Sequence, residues 1–204
     1  VVLVLRADLP YKTIEDVAKA KSQIVLGSGG PGDSTALFAF FLKEFLGYNF
    51  KDIIYPSSAD SYLAMERKEI DGRAASYSSA RPFIDRGMVV PLVRGRVVEA
   101  GIEKLPVDEN LAKGAKEKTM MAMRSVPDSM GRPYVAPPGT PESTMKVLRD
   151  AFAKVAKDPG AQEDARKNMM AVEYVSDKEV QRLLKYLLNQ PSEIMKEFGK
   201  YIKF

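Results

Sequence analysis

The sequence predicts an α/β protein on a mainly parallel sheet, and three observations lead there. Short β-branched runs alternate with amphipathic helical stretches through roughly the first ninety residues, the pattern of βαβ units. The chain has 204 residues, enough to bury a substantial core as one large domain or two small lobes. A hydrophobic share of 45% beside 28% charged residues is ordinary for a globular protein.

The elements follow in order. "VVLVLR" reads as a strand, and Thr13 can cap a helix over Ile14–Lys21 whose first turn sets Glu15 and Asp16 against the positive end of its dipole. "QIVL" is the second strand, and after a glycine-rich loop Ser34–Leu46 forms a helix with Leu37, Phe38, Phe41, Leu42 and Phe45 on a broad apolar face. "DIIYP" is a third strand stopped by Pro56, followed by a helix beginning at Ser57 or Ser58. A short strand at Arg73–Ala75 breaks into serines, "SARPFIDRG" is a short helix closed by Gly87, and "MVVPLV" is the next strand. From Arg94 to Lys118 neither period holds, so a surface excursion or a connection between lobes is expected. Strands are expected again at "TMMAMR", "PYVAPPGTP" and "AVEYVS". Helices are expected over Glu142–Lys157, over "DPGAQEDARKNMM", and as a final pair at Asp177–Leu188 and Ser192–Tyr201. Met120, Met121, Met123, Met169 and Met170 lie in apolar runs and read as core filling rather than a soft-metal site.

Composition excludes several kinds of chemistry. There is no cysteine, hence no disulfide, thiolate metal site or cysteine nucleophile, and no histidine, the commonest general base and metal ligand. Catalysis would fall to carboxylates, lysine, tyrosine or serine, and no nucleophile elbow, zinc signature or acid pair is present. The net charge of +4 comes from interspersed signs with no long basic tract, which argues against nucleic acid as a partner. No stretch reaches the length of a membrane span. The sequence opens without methionine inside a strand-like run, so a processed or trimmed product is expected.

The most suggestive stretch is "GSGGPGDST" at 27–35, which joins a strand to a helix. Two readings stand. The glycines serve a tight corner, or they bare the backbone so that a small ligand reaches the amides at the helix start. Nucleotide fingerprints fail: Asp33 stands before Ser34 where a P-loop needs lysine. Gly27, Gly29 and Gly32 meet the bare dinucleotide spacing without a ribose-holding acid at the right distance. Asp33 is expected to cap the helix through Thr35 or Ala36, leaving the amides of Gly29 and Gly30 and the hydroxyls of Ser28 and Ser34 free. In a parallel sheet the loops carrying Ser57 and Ser58, and Tyr77, Ser78 and Ser79, fall beside this one. Arg73 and Arg81 are the candidate carboxylate partners, with Asp85 one turn away as the competing partner for Arg81.

The order of these pieces resembles the solute receptors of tripartite tricarboxylate transporters, the Bug or TctC-like extracytoplasmic binding proteins. The resemblance rests on "LPYKTIEDV", "GSGGPGDST", "IIYPSSADSYL" and "ERKEIDGRAAS", and most specifically on "YVAPPGTPESTMKVLRDAFAKVAKDP". It implies a type II periplasmic-binding-protein fold with two lobes of mainly parallel sheets, no catalysis and no cofactor or metal. It further implies a small carboxylate or similar polar metabolite as ligand, membrane transporter subunits as partners, and a periplasmic location. Residues 1–120 would be the second ligand-binding lobe and 121–204 would complete a first lobe whose N-terminal part is lacking. Gly27, Ser28, Gly29, Gly30, Gly32 and Thr35 would match the family's carboxylate-cradling turn. The sequence departs from the family at Asp33 in place of serine, at Ala36 in place of histidine, and at "YPSSAD" in place of a glycine-rich loop. An enzyme using Tyr77 or a lysine as base, or a ligand-sensing module, are the alternatives on a related fold.

Overall fold

The computed structural model describes every residue except Pro31, Met169, Ala171, Lys203 and Phe204. The opening apolar run forms β1 (Val2–Arg6), with Val2 to Leu5 fully buried. Thr13 starts α1 (Ile14–Ala18) with a reciprocal cap: its hydroxyl accepts the Asp16 amide at 3.2 Å while the Asp16 carboxylate accepts the Thr13 amide at 2.8 Å. Then come β2 (Ile24–Ser28), α2 (Ser34–Leu46), β3 (Phe50–Ile54), α3 (Ser58–Glu66), β4 (Gly72–Ala75), α4 (Tyr77–Asp85) and β5 (Val89–Arg94). Helix α2 stops at Gly47, whose φ of 73° is the left-handed conformation that glycine adopts without strain.

The five strands form one sheet in the order β3-β2-β4-β1-β5. β2 is parallel to both β3 and β4, whereas β1 is antiparallel to β4 and β5. Four strands therefore run one way, as the alternation with helices implies, and β1 alone runs against them. Apolar periodicity marks a strand without its direction, so nothing in "VVLVLR" announces this.

Core packing follows from the sequence pattern. Phe38, Phe41 and Leu42 of α2 are fully buried, and α10 (Ser192–Tyr201) returns to the same core, placing Phe198 and Tyr201 6.0 and 5.5 Å from the Phe41 ring. Each such side chain contributes about 1.5–3 kcal/mol. Val2 and Val4, one face of β1, join a cluster with Tyr62, Met65, Ile70, Tyr77, Ala80 and Ile102.

Past β5 the structure corrects several expectations. The irregular region contains α5 (Asp108–Leu111), and Thr119–Arg124, expected as a strand, lies inside α6 (Ala115–Met130). Met120, Met121 and Met123 are buried there, as core filling requires, but in a helix. The described residues divide into two compact units, Val1–Asp128 with Gln190–Phe204, and Ser129–Asn189. These are units of compactness, and the expected division into lobes near residue 120 is a separate matter. The second unit holds α7 (Glu142–Val155), α8 (Pro159–Lys167) and α9 (Asp177–Leu188). Residues 133–141 form irregular chain and a turn instead of a strand, with Tyr134 and Val135 80% and 91% exposed. Residues 172–176 likewise join no ladder, and Ala171, where that strand was to begin, is outside the described residues. Met170 is 63% exposed, contrary to a core role, and Met169 is outside the described residues. Among the described residues, no helix is long and apolar enough to cross a membrane.

Candidate functional site

Because β2, β3 and β4 are parallel, their carboxyl ends share one edge of the sheet. The loops that leave them, around 28–33, 55–58 and 76–79, therefore gather there. Ser28 stands opposite Ile54 in the ladder, and Gly27 stands opposite Arg73. Gly27 has no room for a side chain, since a Cβ would come within 2.7 Å of Ile70 Cδ1 and 2.9 Å of Ser61 Cβ. That close approach seats α3 against β2.

The glycine loop turns through Gly30 and Gly32, at φ of 85° and 88°. The Asp33 amide donates to the Gly30 carbonyl at 3.1 Å, which closes the turn and sets Asp33 as the cap of α2. One carboxylate oxygen of Asp33 accepts the Thr35 amide and the Thr35 hydroxyl, both at 2.8 Å. The other reaches back across the loop and accepts the Gly29 amide at 3.0 Å. The Gly30 amide donates to Ser28 Oγ at 3.1 Å, and Ser28 Oγ donates to Asp52 at 2.6 Å. This corrects the expectation that the Gly29 and Gly30 amides and the Ser28 hydroxyl stay free. Capping at Thr35 occurs as expected, but the same acid also takes the neighbouring donor. Burial works to raise the Asp33 pKa, but the hydrogen bonds from Thr35 and Gly29, with the field of Arg73, hold it below its ordinary value.

Arg73 lies under the start of α3 and is only 4% exposed. Its Nε donates to the Ala74 carbonyl at 3.2 Å, and its Nη1 donates to the Ser58 carbonyl at 2.9 Å and to Ser61 Oγ. Its Nη2 donates to Ser58 Oγ at 3.0 Å, and its Cζ stands 4.8 Å from the centre of the Tyr62 ring. A guanidinium has five N–H groups. Four find acceptors among the described residues, all neutral oxygens, and none of the ion pairs among those residues includes Arg73. Desolvation lowers its pKa, against the fields of Tyr62 and Asp33. A buried cation without a carboxylate is costly to keep, which makes it a place where an anion gains.

The remaining expected residues fall out as follows. Ser57 caps α3, accepting the Asp60 amide at 3.2 Å, and Ser58 is exposed above Arg73. Ser78 and Ser79 are exposed on the first turn of α4 and hydrogen-bond to Ser76, at 3.3 Å from Ser78 Oγ to Ser76 Oγ and 3.0 Å from Ser79 Oγ to the Ser76 carbonyl. Ser34 is exposed at the start of α2. Tyr77 is 7% exposed and belongs to the apolar cluster. Its hydroxyl lies against Gly101 rather than among the loops. Arg81 is largely exposed and faces Asp85 at 3.6 Å, the partner that spacing offered. Ser61, Tyr62 and Asp52 are not among the ligand-binding residues the sequence predicts. Ser61 sits three residues after Ser58 on one helix, a spacing that puts both on Arg73, whereas Asp52 meets Ser28 only through strand register. Beside the loop a cavity of about 440 Å³ opens between α2, β3 and α10, lined by Gly30, Asp33, Leu37, Phe40, Lys43 and Ile54 among others.

This fold resembles that of solved solute-binding proteins. A TctC solute-binding protein from Polaromonas, solved without ligand, superposes with a TM-score of 0.67 at 19% identity, over 96% of this chain and 65% of that one. MatC from Rhodopseudomonas palustris with bound malate gives 0.60 at 15% identity, over 99% and 66%. An R. palustris protein with adipate gives 0.61 at 16%, over 98% and 64%. The fold is thus that of the periplasmic binding proteins. The chain belongs to the family described as the tripartite tricarboxylate transporter family receptor, which matches residues 1–200. A UPF0065 protein of Bordetella pertussis is 26% identical over 203 residues, 97% of this chain. This chain spans 60% of the length of that relative.

Proposed function

We propose that this chain is the ligand-gripping part of a periplasmic solute receptor that binds a small carboxylate or similar polar metabolite and hands it to the membrane subunits of a tripartite tricarboxylate-type transporter. Arg73 carries the reading: a buried guanidinium at the loop-bearing edge of the sheet, surrounded by neutral oxygens, is a counter-charge waiting for an anion. Family membership and the malate- and adipate-bound neighbours support it. The unit of Val1–Asp128 and Gln190–Phe204 serves as the second ligand-binding lobe, and Ser129–Asn189 contributes to the first. Binding is the whole task, with no bond made or broken. Exposed Ser58, Ser78 and Ser79 supply hydrogen bonds that orient the guest.

A thermal-shift panel of mono- and dicarboxylates, amino acids and neutral polar metabolites tests this. A ligand at a hundred times its Kd stabilises by about 2.7 kcal/mol. The expected result is a rise in Tm with at least one carboxylate-bearing compound, lost in Arg73→Gln whose far-ultraviolet circular dichroism is unchanged. Stabilisation by none of the panel, or an undiminished shift in the variant, refutes the reading.

A further inference from the structure

The glycine loop presents acceptors where a carboxylate would need donors. Around it the Gly29 amide and the Thr35 amide and hydroxyl all point at Asp33, at 3.0, 2.8 and 2.8 Å. The Gly30 amide points at Ser28 Oγ, whose own proton goes to Asp52. The donors of this corner are spent on acids of the chain itself. A carboxylate has about four lone-pair positions, and Asp33 uses three of them here. One remains on the oxygen that spans the loop toward Gly29. The fixed geometry supports this use: a Cβ on Gly29 would stand 2.9 Å from that oxygen, so the residue must be glycine for Asp33 to reach across.

The second observation is independent of the loop. Arg73, nine-tenths and more buried, stands on β4 within the electrostatic reach of Asp33 and has no carboxylate bonded to it among the described residues. The edge of the sheet thus carries a fixed negative centre at Asp33 with one open position, a second acid at Asp52 bound to Ser28, and at Arg73 a positive centre with no carboxylate bonded to it among the described residues. A dicarboxylate laid from Arg73 to Asp33 would bring its second charge against Asp33 in a partly desolvated site, where like charges repel strongly.

Resting on the receptor reading above, we infer that Asp33 sets the ligand class: the site takes an amino-carboxylate, its carboxylate toward Arg73 and its ammonium toward the free position on Asp33. The four-membered pattern of ammonium, aliphatic spacer, carboxylate and hydrogen-bonding serines matches what the edge offers.

Isothermal titration with a matched set separates the two ideas. Adipate and ε-aminocaproate have the same carbon count and differ by one carboxylate exchanged for a methylene-ammonium, and caproate carries the single carboxylate alone. The same trio is repeated with shorter homologues to cover spacing. The protein is expected to bind the amino-carboxylate about tenfold or more tightly than the dicarboxylate of equal carbon number, and Asp33→Ser is expected to reverse that order by freeing the Gly29 and Thr35 amides. Equal or tighter binding of the dicarboxylate overturns the inference, as does an order unchanged in Asp33→Ser. If caproate binds and the amino-carboxylate gains nothing over it, the inference fails while the receptor reading stands. If no member of any trio binds to either protein, the receptor reading fails and takes the inference with it. Asp33→Asn, which keeps the cap acceptor but drops the charge, guards against a folding defect: it should lose the preference for ammonium while retaining the wild-type Tm within a few degrees.

Discussion

Arg124→Met tests the energetics of the first unit most sharply. Arg124 and Asp108 have side chains 1% and 0% exposed and meet at 3.2 Å, with Asp128 at the same distance on the other side of the guanidinium and Ser125 Oγ at 2.8 Å. The guanidinium also lies 4.7 Å from the centre of the Phe38 ring, joining α6 to the core of α2. Methionine preserves much of the apolar stem but leaves the Asp108 carboxylate buried without its counter-charge, and Asp108 Oδ1 already lacks a hydrogen bond among the described residues. Breaking a buried pair by removing one partner costs about 3–5 kcal/mol, and loss of the contact with Phe38 adds about 0.5–2 kcal/mol. Partial recovery of apolar packing offsets the second figure, so the net expectation is about 3–5 kcal/mol. Burial already pushes the Asp108 carboxyl up, against the pull of Arg124. Without Arg124 it rises further. A group whose folded pKa exceeds its unfolded value favours the fold at low pH and loses that contribution as pH rises through the folded pKa. The deficit of Arg124→Met should therefore widen as pH rises above the ordinary carboxyl value, by up to about 1.4 kcal/mol per unit. Urea denaturation followed by far-ultraviolet circular dichroism at several pH values measures both, and adding Asp108→Asn should restore at least half of the loss. A deficit below about 1 kcal/mol, or one independent of pH, would show that the pair is not the buried unit described.

Two further outcomes are expected. Gly27→Ala places a methyl group into Ile70 and Ser61 and must push α3 from the sheet, costing about 1–3 kcal/mol and exposing Arg73; amide hydrogen exchange should show lost protection over Ser58–Glu66, and unchanged exchange there would contradict the close approach. Asp8 is held down to about 2 by hydrogen bonds from Arg6 and Lys68, so its contribution to stability is present above the ordinary carboxyl value and lost as pH falls through about 2. Asp8→Asn should lower Tm near neutral pH and match the parent protein at the acid end, and a constant difference across that range would refute the assignment.

The parts of this fold that were readable are those whose signals are local. Thr13, Ser57 and Asp33 mark helix starts by their own chemistry, and all three stand at helix caps in the structure. The strand expected at Thr119–Arg124 failed for a physical reason. A short apolar run has no period of its own when every face is buried, and Met120 to Val126 are buried without a break. "PYVAPPGTP" and "AVEYVS" failed differently: a strand is a pairing, and β-propensity without a ladder partner leaves irregular chain. In the candidate site the hydroxyl-rich loops could be placed from strand direction alone. The second bond of Asp33, across to Gly29, could not be, because it depends on where Gly30 and Gly32 aim the turn. Tyr77 misled because sitting in a loop-side sequence says nothing about which way a ring points, and here it points into the core.

The reversed strand β1, inside the sheet between β4 and β5, has a kinetic meaning. Leu3 faces Ala74 on one side and Val93 on the other, so this one ribbon joins partners that are far downstream of it, while Ile24 needs only Phe50. Distant pairings must overcome the entropy of closing long loops before they gain anything. Assembly should therefore run from the parallel flank inward, with the keystone inserted late, and damage to Leu3 or Leu5 should hasten unfolding more than it slows folding.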